Sequence, residues 1–95
     1  MIDLSKVIPL IKRNERFNLD RRTRWELCLE MRAYDPNVNF YSIRPLGNEF
    51  ANWIDGRRSI EEIAEAVSCE YSIKVIPEHV LKYLQHMKDR GLVDF

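Results

Sequence analysis

LGNEFANWIDGRRSIEEIAEAV, residues Leu46 to Val67, decides how this chain is read. Leu46, Phe50, Trp53 and Ile54 recur at i, i+4, i+7 and i+8, the spacing of one helical face, and Pro45 suits the first turn before them. Gly56 can take the left-handed conformation that stops a helix. Ser59 with Glu62 three residues on is a capping-box pattern, and Ile60, Ile63, Ala64 and Val67 form the next apolar stripe. The stretch therefore reads as two short helices hinged at Asp55-Gly56, a scaffold feature with no catalytic motif beside it. A third helix starts near Pro77, carries Val80, Leu84 and Met87 on one face with Leu81 beside them, and stops at Gly91.

Upstream the pattern changes to period two. Phe17 and Leu19 alternate with Asn18 and Asp20, and Asp20-Arg-Arg-Thr23 follows as a polar turn. In residues 24–34, RWELCLEMRAY, the residues Trp25, Leu27, Leu29, Met31 and Ala33 share one face of a strand, with Glu26, Cys28, Glu30, Arg32 and Tyr34 on the other. Asp35-Pro36-Asn37 is turn chemistry, and Val38 to Ile43 is a third strand, at a sheet edge. Short connections predict an antiparallel meander. The expectation is an α+β fold in a single domain over 1–95, with a three-stranded antiparallel sheet in 15–44 and a three-helix bundle in 45–91. Residues 1–14 stay open, because Val7, Ile8, Leu10 and Ile11 suit a strand or a helix and Pro9 interrupts either.

Fifteen basic and fifteen acidic side chains leave no net charge, and residues 1–34 are only mildly basic, so the balance favours protein partners over nucleic acid. Cys28 and Cys69 form no C-x-x-C pair, which fits a reduced cytoplasmic protein. The N-terminal stretch is broken by Asp3, Lys6 and Pro9 and does not resemble a signal peptide, and no run of about 18 apolar residues suggests a membrane span.

Chemistry-bearing residues have structural readings that suffice. His79 and His86 lie on one face of the third helix, but no further ligands complete a metal set. Glu61, Glu62 and Glu65 complement the helix macrodipole. Cys28 has no basic neighbour to activate it, and Cys69 reads as a small filler. Gly-rich phosphate loops, G-x-S-x-G and H-E-x-x-H are missing, so the expectation is no enzyme, no catalytic residue, no metal and no cofactor. Three helices with a small sheet also outline a winged-helix nucleic-acid binder. Against that, the third helix mixes Lys82, Gln85 and His86 with Glu78 and Asp89, a poor positive field for phosphate. What remains is the open strand edge, which a peptide can extend by β-augmentation. Tyr41 and Ile43 on one side, Phe40 and Ser42 on the other, and Tyr83 and His79 on the third helix would line such a groove.

The order of these features resembles the PqqD family: a Gly-x-x-apolar helix at Gly47, Ile54-Asp55-Gly56, Arg58-Ser59-Ile60 with Ile63, and a last helix ending Gly91-Leu92. The resemblance implies a winged-helix-like RiPP recognition element, a domain that binds the leader segment of a ribosomally made precursor peptide and presents it to a modifying enzyme, often a radical SAM enzyme. It implies peptide contacts from Asn39, Phe40, Tyr41, Ser42 and Ile43 and from His79, Val80, Tyr83 and Met87. It also implies that radical chemistry belongs to the partner, since this chain has no C-x-x-x-C-x-x-C cluster motif. The region 24–37 lacks the Pro-Glu-Arg-like turn of typical PqqD proteins. A docking subunit that binds no peptide is the other protein-binding reading, and a monomer or a domain-swapped dimer suits either.

Overall fold

The computed structural model describes residues 3–13, 15, 19–38 and 50–95. Their order is β1 (Leu10–Ile11), α1 (Arg21–Arg32), a helical end at residues 50–52, α2 (Ile60–Tyr71), α3 (Pro77–Asp89) and β2 (Val93–Asp94). The class is mixed α and β, as expected, but the arrangement differs. Among the described residues the sheet is two-stranded and antiparallel, with Leu10 opposite Asp94 and Ile11 opposite Val93.

The strand expected over 24–34 is a helix, so the meander over 15–44 is corrected there. Asp20 caps α1, its carboxylate accepting from the Thr23 N–H at 2.7 Å and the Thr23 hydroxyl at 2.9 Å. Glu, Leu, Met and Arg dominate the segment and favour helix. Leu27, Cys28 and Met31 recur at i, i+1 and i+4, so a helical face coexisted with the alternation and its burial prevailed. The consequence is that Trp25 and Leu29, which a strand would have put on the core face, are about half exposed. Of the expected first strand, residues 16–18 lie outside the described residues, and Leu19 is buried just ahead of the Asp20 cap. Of the expected third strand, Val38 is buried outside any strand, and residues 39–43 lie outside the described residues.

The hinge at Asp55-Gly56 forms as its chemistry requires. One Asp55 oxygen accepts from the N–H groups of Arg57 and Arg58, both at 2.9 Å, and the other takes the Arg58 guanidinium at 2.8 Å. Those N–H bonds, Arg58 first, hold the Asp55 carboxyl below its ordinary value. Arg58 also stacks over the Trp53 ring, 4.7 Å from its centroid. Gly56 has φ +76°, and a Cβ there would lie 3.2 Å from Leu10 Cδ2.

Four residues later α2 begins with its capping box complete: Glu62 N–H donates to Ser59 Oγ and Ser59 N–H to Glu62 Oε1, each at 3.1 Å. The N-terminal segment, undetermined in sequence, supplies the rest. Val7 C=O accepts from Ile60 N–H at 2.9 Å, and Leu4 C=O accepts from Glu61 N–H at 3.1 Å. The same segment continues into β1, and beyond it Lys12 and Arg13 donate to Leu92 C=O at 2.8 and 3.2 Å.

Ser68 ties the α2–α3 connection, its hydroxyl accepting from Val75 N–H at 2.9 Å and donating to Ala64 C=O at 2.7 Å. α3 ends in a Schellman motif: Gly91, at φ +71°, donates to Lys88 C=O at 2.9 Å, and Leu92 donates to Met87 C=O at 3.0 Å. That turn delivers Val93 to β2. The core is shared by Leu27, Cys28 and Met31 of α1, Phe50 of the helical end at 50–52, Ile63 and Val67 of α2, and Val80, Tyr83, Leu84 and Met87 of α3. Phe50 meets Tyr83 edge to face, with centroids 5.2 Å apart.

Gly56→Val forces a β-branched residue to positive φ and pushes on Leu10, so it should cost about 2 kcal/mol in urea denaturation. An unchanged midpoint would refute the left-handed turn. Ser59→Ala removes one member of the capping box and should cost about 1 kcal/mol in the same assay.

Candidate functional site

α1 and α3 pack against each other, and their contacts run in opposite chain directions. Glu30 pairs with Lys82, and Tyr34 just past α1 meets His79 in the first turn of α3. The Tyr34 and His79 rings are edge to face, with centroids 5.4 Å apart and planes at 76°. Past the helix, Asp35 accepts from the Lys74 N–H at 3.0 Å, hooking the chain to the α2–α3 connection. Lys74 Nζ lies 5.9 Å from the Tyr34 centroid.

At this junction lies an open groove of about 690 Å³ lined by Glu30, Ala33, Tyr34, Ile76, Pro77, Glu78 and His79. Ala33, Ile76 and Pro77 give its lining an apolar part, and Glu30 and Glu78 bring two carboxylates to it. His79 is only 3% exposed. Its Nδ1 accepts from Ile76 N–H at 3.3 Å, so the neutral ring carries its proton on Nε2. That bond gives the orphan Ile76 N–H at the cap position of α3 a partner. Burial pushes the His79 pKa below 6.5, partly offset by the carboxylates of Glu30 and Glu78.

Of the residues assigned to peptide contact, Asn39, Phe40, Tyr41, Ser42 and Ile43 lie outside the described residues. His79, Val80, Tyr83 and Met87 come together on α3, but all are buried, Val80 and Tyr83 completely. Burial also raises the Tyr83 phenol well above its ordinary pKa. Glu30, Tyr34 and Glu78 were not among the expected site residues. Reading 24–34 as a strand hid the first two. The signal that could have found them is Asp20-x-x-Thr23 ahead of a run of helix formers. Cys28 is buried, which raises its thiol pKa, while Cys69 is exposed. Among the described residues no cluster of three or more His, Cys, Asp or Glu could hold a metal ion, and no helix is long and apolar enough to cross a membrane.

The burial of His79 gives a definite pH dependence. Above pH 6.5 His79 is neutral folded and unfolded. As pH falls below 6.5 the unfolded chain takes up a proton that the folded chain refuses, so stability declines until the lower folded pKa is reached. Urea midpoints measured from pH 8 to pH 5 should fall in the parent and stay flatter in His79→Gln. Parallel curves would show that His79 is not the titrating group. The hydrogen-bonded Asp20, Asp35 and Asp55 act separately, since each titrates below its ordinary value of 3.8.

Comparison with known proteins gives one result. No curated protein and no solved structure matches the chain significantly. The family model described as Coenzyme PQQ synthesis protein D (PqqD) matches residues 30–93. That range runs from the last turn of α1 through the Asp55-Gly56 hinge, α2 and α3 to the first residue of β2. Spanning well over half of the sequence, the match shows that this chain belongs to the PqqD family.

Proposed function

We propose that this chain is a non-catalytic accessory protein of ribosomal-peptide maturation that captures the leader segment of a precursor peptide and presents it to a modifying enzyme, a radical SAM enzyme being the expected partner. Membership of the PqqD family is the observation that carries this reading. On this proposal the leader adds as a strand beside Asn39, Phe40, Tyr41, Ser42 and Ile43 and rests along α3 near His79, Val80, Tyr83 and Met87. Backbone pairing would supply affinity and side-chain pockets specificity. The groove at the start of α3 supports the reading, because a lining that mixes apolar and polar side chains suits a peptide side chain.

An NMR titration of labelled protein with synthetic leader peptides encoded beside this gene tests it. Saturable shifts confined to amides of residues 37–44 and 78–90 are expected, with affinity nearly constant between 50 and 200 mM salt. Well-folded protein that shifts with none of these peptides would remove the reading. Affinity for duplex DNA that falls steeply over the same salt range would replace it with phosphate binding.

A further inference from the structure

We propose that the groove at the start of α3 is a pocket for the side chain of a lysine or arginine of the leader peptide, with Glu78 as its counter-charge. This rests on the peptide-binding reading above and names the chemistry of the peptide residue held there.

The first observation is the charge left over at the groove. Its lining brings the carboxylates of Glu30 and Glu78 and, among the described residues, no lysine or arginine. Lys82 stands four residues after Glu78, the spacing at which the two would pair along one helix. Its ammonium is instead on Glu30 of α1, and Glu78 has no ion-pair partner among the described residues. Just outside the lining, Asp35 and Lys74 offset each other in charge, so one negative charge remains, and it is the exposed Glu78. His79 adds none at neutral pH, because burial holds its pKa below 6.5. The helix ends do not cancel Glu78 either, since the end of α1 and the start of α3 both line the groove and carry opposite partial charges.

The second observation is what the rim already attracts. Two of the chain's own ammonium groups reach it: Lys82 Nζ on Glu30, and Lys74 Nζ at 5.9 Å from the Tyr34 ring centroid. Tyr34 is still 53% exposed, so much of its ring is open to a further cation. Ala33, Ile76 and Pro77 offer the aliphatic stem of a lysine or arginine an apolar surface, while its charged head stays with Glu78 and water.

The third observation is independent of charge. His79 lines the groove although it is only 3% exposed, and its Nδ1 is taken by the Ile76 N–H. Its Nε2–H has no hydrogen-bond partner among the described residues, so a nearly buried donor is left for a ligand to satisfy. A backbone carbonyl of the peptide is such an acceptor. One lysine or arginine residue in an extended chain therefore brings both an acceptor for His79 and a cation for Glu78, which an acidic or purely apolar residue does not.

The test is a double-mutant cycle in binding, read by calorimetry at neutral pH with synthetic leader peptides encoded beside the gene as probes. Each lysine and arginine of the peptide is replaced in turn by norleucine, which keeps an aliphatic stem and removes the charge. Replacement at one position should weaken binding to the parent protein about fivefold. Glu78→Gln, a change at an exposed position, should weaken the unmodified peptide by the same factor and leave that norleucine peptide unaffected. Glu78→Asp keeps the charge and should retain most of the affinity. Peptide that binds the parent protein but contains no lysine or arginine, or loses nothing on any replacement, overturns the pocket and leaves peptide capture standing. A loss on replacement that persists in full in Glu78→Gln does the same. Well-folded protein that binds none of the probes overturns peptide capture, and the pocket with it.

Discussion

A helix begins with four N–H groups that lack helical acceptors, and the rest of this structure is organised around meeting that requirement at α2. Ser59 is served by Glu62 Oε1, Glu62 by Ser59 Oγ, Ile60 by Val7 C=O and Glu61 by Leu4 C=O. The last two acceptors come from some fifty residues upstream in a chain of 95, so closing one helix turn also fixes the N-terminal segment. Once fixed, that segment runs into β1, reaches Leu92 and β2, and lays Leu10 against Gly56. The hinge, the sheet and the end of α3 are thereby tied to one capping site.

The opposite side of the molecule is built on a different principle. α2 and α3 share a deep apolar seam in which Ile63, Val67, Val80 and Leu84 are essentially inaccessible, and burial of that kind contributes about 1.5–3 kcal/mol per large side chain. α1 enters the same core through Leu27, Cys28 and Met31, with the exposed Glu30–Lys82 pair at its rim, and just past its end Tyr34 meets His79 and Asp35 accepts from the Lys74 N–H. The groove at the start of α3, lined by His79 among others, lies where the end of α1 meets that helix.

Residue chemistry confined to a few neighbouring positions was legible without coordinates. Ser59 and Glu62 announced the start of α2, Pro77 the start of α3, and Gly56 and Gly91 the turns that end what precedes them. The order of those signals also carried the family resemblance, which the match over residues 30–93 upholds. Each of these features is decided by bonds that close within about four residues, so sequence alone suffices to place it.

Only the tertiary structure decided the rest. Residues 24–34 satisfied both period two and a helical face, and their helical state follows from where Leu27, Cys28 and Met31 find a core to enter. Val7 and Leu4 revealed nothing locally, because their role is to present carbonyls to a helix far along the chain. The apolar stripe of α3 was readable as Val80, Leu84 and Met87, but not the fact that His79 and Tyr83 are covered as fully as that stripe. Periodicity reports which side chains share a face. What that face meets depends on partners distant in sequence, and those are chosen by packing.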